Sequence, residues 1–290
     1  MVASAGRNDA GGTAPVAIIC GGGTLPFAVA DAALRQGREV VLLGIKGWAD
    51  PSQMVRYRHH WIALGQFGRG RRLAAAEGCR QVAFIGSVIR PALHEIRLDW
   101  QTIRLLPRLA RLYRGGDDQL LSGIGRIFQE HGFAVIGAHE LATDIIVPSG
   151  PIGGLGPTPD DAADIARGLA VLSALGGFDI GQAVVVANNQ VLAVEAAEGT
   201  DHLLARIAEL RQTGRIRSRP GAGVLVKAPK PGQDRRLDLP AIGPQTVAGV
   251  IRAGLGGLAV VAGGAIMAEP ERVAAAADAG RIFVVGVKPP

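Results

Sequence analysis

Apolar residues in the first half of the chain fall in short unbroken runs and do not alternate with polar ones. "VAIIC" (16–20), "EVVLLGI" (39–45), "VAFIG" (82–86) and "FAVIG" (133–137) are the clearest. Runs of this length without alternation are the habit of strands buried on both faces of a parallel sheet. Between them the apolar spacing becomes helical, in an alanine-rich stretch to about Gln36 and again near 66–77 and 117–131. Strands separated by helices predict a Rossmann-like N-terminal domain over 15–146, with helices on both faces of its sheet.

The pattern then breaks. "VPSGPIGGLGPTPDD" (147–161) is dominated by Gly and Pro, and 147–158 reads as a linker. Beyond it Pro159 suits a first helical turn, and Asp160, Asp161 and Asp164 suit the positive end of a helix dipole. "AVVVANNQVLAVEA" (183–196) sets two strand-like runs around Asn188, Asn189 and Gln190, a hairpin signal. "EGTDHLLARIAELRQTG" predicts a helix capped by Thr200 or Asp201 and stopped by Gly214. Strands are expected at 223–227, 258–261 and 282–286, with helices at 243–253 and 269–279. The fold class is therefore α/β in two domains, the second an α/β domain over 159–290, joined by the Gly/Pro-rich linker.

Composition narrows the partners. The chain has 290 residues, 48% hydrophobic, enough for two cored domains. Its 42 glycines are about twice the usual share and indicate tight turns and close backbone approaches. Aromatics at 4% argue against a base-stacking surface, so no nucleic-acid partner is expected. Lys plus Arg exceed Asp plus Glu by 31 to 25, a balance that favours phosphates, nucleotides or acidic lipid. Cys20 and Cys79 lack CxxC spacing, as in a reduced, cytoplasmic protein without structural zinc. Residues 1–14 are polar, lack an apolar core and read as a disordered leader rather than a signal peptide. The uncharged run Ala253–Ala268 is too short and glycine-broken to span a bilayer, so membrane contact would be peripheral.

Several stretches could carry chemistry. In "CGGGTLP" (20–26), Gly21, Gly22, Gly23, Thr24 and Leu25 lie between a strand and a helix, where free N–H groups attract an anion. A plain tight turn explains the same residues equally well. Pro26 replaces the third glycine of a dinucleotide fingerprint, and Ile45-Lys46 stand where its acid belongs, so a nicotinamide oxidoreductase is disfavoured. Asp117 and Asp118 head a helix, as dipole-complementing caps or as a metal or ribose contact. Arg97, Arg104, Arg108 and Arg111 line one side of a helical stretch, with Leu105, Leu109 and Leu112 on another and Pro107 interrupting. Such a helix is either a solvated face or a lipid-docking one. The histidines, His94 among them, show no metal-ligand spacing. Glu195 ends a strand, and Glu198, Gly199, Thr200 and Asp201 follow it, facing a ligand or capping the next helix.

"KAPKPGQDRRLDLPAIGP" (227–244) is the richest. It sets Asp234 and Asp238 among Lys227, Lys230, Gln233, Arg235 and Arg236, in a segment with four prolines. Exposed ion pairs would contribute only about 0–1 kcal/mol, little reason for so stiff a loop. Handling of a phosphate gives the mixture a use. Cations steady the anion, and a carboxylate holds Mg²⁺ or takes a proton from water.

"GGGTLP", "GGDDQLL", "VLAVEAAEGTD" and "KPGQDRRLDLPAIGPQT", in that order, resemble the LpxI type of UDP-2,3-diacylglucosamine pyrophosphatase. The resemblance runs from about Val16 to Val287. It implies a cytoplasmic enzyme of lipid A biosynthesis in a Gram-negative bacterium, with Mg²⁺ as cofactor. The enzyme would cleave its glycolipid-nucleotide substrate to UMP and 2,3-diacylglucosamine 1-phosphate (lipid X), directing water at the phosphorus nearer the sugar. It implies two domains with the lipid held between them, and peripheral contact with the inner membrane; a homodimer is allowed. The essential aspartate carries over to Asp234, as metal ligand or water-activating base, with Asp238 the second catalytic candidate. Lys230, Arg235 and Arg236 become candidate phosphate clamps, and Lys227, Gln233, Gly21 to Leu25, Asp117, Asp118 and Glu198 to Asp201 candidate substrate contacts. A non-catalytic nucleotide-sugar or lipid-binding protein is the alternative from another class.

Overall fold

The computed structural model describes residues 14–88, 96–113 and 117–289, the side chains of Tyr113, Asp117 and Asp118 excepted. Most of the expected leader, His94 and the two aspartate side chains therefore lie outside the described residues. The N-terminal sheet consists of β1 (Val16–Cys20), β2 (Val40–Ile45), β3 (His59–Ile62), β4 (Gln81–Ile85) and β5 (Ala134–Val135). All pair in parallel, in the order β3-β2-β1-β4-β5. That is the order of the first five strands of a doubly wound sheet, with its reversal between β1 and β4. Every residue of β1 and β2 is buried, as their unbroken apolar runs require. β3, "HHWI", lies at the sheet edge, where only its last residue is buried, and so carries no apolar run.

The helices of this half are α1 (Leu25–Arg35), α2 (Pro51–Met54), α3 (Phe67–Ala76), α4 (Trp100–Tyr113), α5 (Asp117–Glu130) and α6 (Ala138–Leu141). α4 continues through Pro107, which neither ends it nor starts a second helix.

The C-terminal half contains β6 (Gly150–Pro151), α7 (Pro159–Leu175), β7 (Ala183–Ala187), β8 (Gln190–Val194), α8 (Gly199–Gln212) and β9 (Val224–Lys227). It continues with β10 (Ala241–Ile242), α9 (Pro244–Arg252), β11 (Gly257–Val261), β12 (Ile266–Met267), α10 (Pro270–Gly280) and β13 (Phe283–Val287). Six strands form a mixed sheet, β6-β13-β11-β9-β7-β8, in which β9, β11 and β13 are parallel. β7 and β8 form the expected hairpin, with Asn188 and Asn189 at φ 51 and 60. Asp164 accepts hydrogen bonds from both their N–H groups, fixing that turn to α7.

α8 starts one residue before Thr200, with Glu198 at its N-cap, so Thr200 and Asp201 lie inside the first turn and are not its caps. The Gly/Pro-rich joining segment is held down: Gly150 and Pro151 pair with Gly286 and Val285, and Val147 is part of the C-terminal core. Apolar side chains also cross between halves. Leu237 belongs to one core of the N-terminal half, while Leu239 and Ile266 pack with the other.

Candidate functional site

The segment after β9 leaves the sheet at the carboxyl end of its parallel strands, the side where α/β sheets hold ligands. Prolines 229, 231 and 240 keep it irregular as it crosses to the N-terminal half. There Leu237 lies against Gly125 of α5, where an added Cβ would come 3.2 Å from the leucine. At Gly137 an added Cβ would come 3.0 Å from Arg236 Cα and 2.4 Å from the His139 ring. Two glycines on one half thus make room for the loop of the other.

Between loop and helix lies a cavity of about 600 Å³. Gln233, Asp234, Arg236 and Leu237 form one wall, and Ser122, Gly123, Arg126 and Gln129 of α5, with Leu112 of α4, another. Gly123 and Gly125 on that face of α5 admit the side chains of Leu112 and Leu237, and the polar groups of the lining suit the space to a charged ligand.

Asp234 accepts three hydrogen bonds from Arg236: the backbone N–H and Nε to Oδ1 at 3.1 and 3.0 Å, and Nη2 to Oδ2 at 2.7 Å. These hold its carboxyl below the ordinary range; burial opposes them, and Arg126 adds a smaller downward push across the cavity. Asp234 is therefore a fixed anion at neutral pH, which favours a ligand or orienting role over that of a strong base.

Asp238 has turned the other way. Its Oδ2 accepts from Gln182 Nε2 at 2.7 Å and from Gln233 Nε2. Burial pushes its carboxyl up, against downward pulls from Gln182, Lys230, Gln233 and Lys227. It does not line the cavity, but it holds Gln233, which does.

Behind Asp238 lies a buried polar chain. Lys227, 6% exposed, donates to Thr200 Oγ1 at 2.9 Å and to the Ala241 carbonyl at 3.0 Å. Thr200 donates to Glu195 Oε1 at 2.7 Å, and Glu195 Oε2 accepts the Gln182 N–H at 2.7 Å. Burial lowers the Lys227 pKa, with Glu195, Asp201 and Asp238 opposing.

The remaining candidates are placed elsewhere. Lys230 pairs with Asp179, and Arg235 donates to the Gly263 carbonyl. Glu198 pairs with Arg206 at 2.9 Å and accepts the Ala196 N–H, a local cap. In the glycine-rich turn, the Gly21 and Gly22 N–H groups donate to the carbonyls of Ile85 and Ser87 at 2.8 and 2.7 Å. A Cβ on Gly21 would come 2.7 Å from the Ser87 oxygen, so these glycines serve close packing of two loops. Gly23 and Thr24 are exposed and Leu25 half-buried at the head of α1, and none of the five lines the cavity.

Sequence reasoning missed Arg126, Gln182 and His139. Arg126 had one signal, the small residues Ser122, Gly123 and Gly125 beside it, which mark a helix face that approaches something closely. His139 and Gln182 had none. Among the described residues no group of three His, Cys, Asp or Glu is arranged to hold a metal.

Two family models match the chain: the LpxI N-terminal domain over residues 15–145 and the LpxI C-terminal domain over residues 148–285. The chain is also 41% identical over 272 residues to the UDP-2,3-diacylglucosamine pyrophosphatase LpxI of Caulobacter vibrioides. That alignment covers 94% of this chain and 97% of the relative.

Proposed function

The chain belongs to the LpxI family, and from that premise we propose that it hydrolyses the pyrophosphate bond of UDP-2,3-diacylglucosamine to UMP and 2,3-diacylglucosamine 1-phosphate. The observation that carries the reading is the cavity between the halves, with an ionised aspartate on one wall and arginines on both. We place the reaction in lipid A biosynthesis, at the cytoplasmic face of the inner membrane, with the protein bound peripherally.

Arg126 and Arg236 face the diphosphate from opposite walls and neutralise charge as it develops on the phosphate oxygens. Gln233, held by Asp238, offers a further contact. The water oxygen bonds to the phosphorus nearer the sugar. The bond from that phosphorus to the bridging oxygen breaks, and UMP leaves with the electron pair. Asp234 orients the water, whose proton passes to a phosphate oxygen of the products.

Asp234 is also the residue that would hold Mg²⁺. One carboxylate completed by substrate phosphate oxygens and water is a usual Mg²⁺ environment, and an ionised aspartate on the cavity wall fits it. When bound, the ion supplies further charge neutralisation on the phosphate oxygens. Arg236 occupies the Asp234 carboxylate in the free protein, so loading substrate exchanges that ion pair for one between Arg236 and phosphate.

The test is UMP release from UDP-2,3-diacylglucosamine by purified protein with and without Mg²⁺. Release by the native chain and its loss in Asp234→Ala, with the fold intact by circular dichroism, is the expected result. Tight substrate binding without turnover across several divalent metals would instead favour a binding protein.

A further inference from the structure

We infer that the outward face of α4 is a docking surface for an anionic lipid bilayer. The helix buries Thr102 and turns Leu105, Leu109 and Leu112 inward, towards α3 and α5. The leucine stripe that made the sequence look lipid-seeking is therefore the packed side.

A second apolar stripe faces out. Trp100 is 65% exposed, Ile103 42% and Leu106 39%, with Pro107 and Ala110 exposed beside them. At 3.6 residues per turn these positions share one arc of about 120°. Exposed large apolar groups at helical spacing are not singly scattered surface residues. Cations border the arc. Arg104 and Arg111 are exposed along one edge, and the Arg104 guanidinium lies over the Trp100 ring, 5.1 Å from its centroid. Arg108, next along that edge, pairs with Glu130. No residue of α4 is acidic.

This charge pattern selects the occupant. A second copy docking the same face with its helix antiparallel about a two-fold axis would set arginine against arginine. A bilayer carrying anionic headgroups meets the arginines with opposite charge and accepts the apolar stripe below, and tryptophan is at home at that boundary. Position adds a further argument, which rests on the activity proposed above. The far end of α4 supplies Leu112 to the cavity wall, so a helix lying on the bilayer would bring a two-chain substrate to the site without its tails crossing water.

The test uses the full chain with vesicles of phosphatidylcholine alone or with about one-third phosphatidylglycerol, followed by flotation. The native protein should float with the anionic vesicles, and far less with neutral ones or at high salt. Each arginine near an anionic surface contributes about fivefold in partitioning. Arg104→Glu with Arg111→Glu should therefore weaken flotation by well over tenfold. Trp100→Ser, Ile103→Ser and Leu106→Ser together should also abolish it, with circular dichroism unchanged.

Turnover of detergent-dispersed substrate should survive in both variants, while turnover of vesicle-embedded substrate falls. Native protein that ignores anionic vesicles, or variants that float as well as native, would overturn the inference. So would a dimer in sedimentation velocity that the serine variant dissociates. Loss of detergent-dispersed turnover in the native chain would refute the proposed activity and leave the flotation result standing by itself.

Discussion

Arg236 grips the Asp234 carboxylate with its own backbone N–H and with two guanidinium nitrogens, at 3.1, 3.0 and 2.7 Å. A guanidinium two residues away is thus the largest influence on the aspartate expected to work at the cavity wall. Removing it exposes that influence. In Arg236→Ala the Asp234 carboxyl should move back up to the ordinary carboxylate range. The acidic limb of a kcat/KM profile against pH should then shift to higher pH, and kcat should fall if Arg236 contacts the substrate phosphate as proposed. An unshifted acidic limb would mean that Asp234 does not set it.

Arg126 reaches the cavity from the other half of the chain. If it neutralises the diphosphate, Arg126→Ala should lower kcat/KM by about 10²-fold, the scale of one lost electrostatic contact in a transition state. Arg108→Ala, on the neighbouring helix and paired with Glu130, is the control and should remain near native in detergent. Equal losses in both variants would point to a general charge effect.

Gly137 is a tight joint between the N-terminal half and the loop. Alanine there would place a methyl 2.4 Å from the His139 ring and 3.0 Å from Arg236 Cα. Overpacking of this kind typically costs about 1–3 kcal/mol. Because the displaced atoms carry the Asp234–Arg236 pair, turnover should suffer more than urea stability. Restored turnover in Gly137→Ala combined with His139→Ala would identify the ring as the obstacle.

Asp238 should make stability depend on pH in a distinctive direction. Its folded pKa is raised by burial, so the folded state binds a proton the unfolded state has lost. Stability from this group is complete below the ordinary aspartate range and is lost as pH rises through the raised value. In Asp238→Asn the side-chain amide would still offer one oxygen to Gln182 and Gln233, with no proton to lose. Urea unfolding of that variant across the same window should lack the fall seen in the native chain; parallel curves would remove Asp238 as its source.

The parts of this molecule legible in its sequence were those governed by local pattern. Unbroken apolar runs located β1, β2 and β4, and Asn188-Asn189 located the hairpin. "HHWI" was not legible, because an edge strand buried at one residue leaves no run to read. The charged loop stood out as a stretch of mixed charge, since prolines and charges are local facts, and part of it does line the cavity. The division of labour within it was not. Asp234 and Asp238 look equivalent in the sequence, yet the turn between them faces one to the cavity and the other into a buried network with Gln182, a residue 56 positions away. Gly21 and Gly22 show the converse: their N–H groups meet the carbonyls of Ile85, the last residue of β4, and Ser87 just beyond it, contacts invisible until the sheet order is known. Arg126 reads as an ordinary surface arginine until α5 is set against the loop.

Leu237, Leu239 and Ile266 lie in cores built by the other half of the chain. Either half made alone would display an empty apolar socket or a bare apolar plug, both prone to self-association. In the intact protein the same side chains bind the melting of each half to that of the other. Heat or urea should therefore erase both sheets and the Asp234 loop in a single cooperative step, despite the Gly/Pro-rich seam that divides the chain.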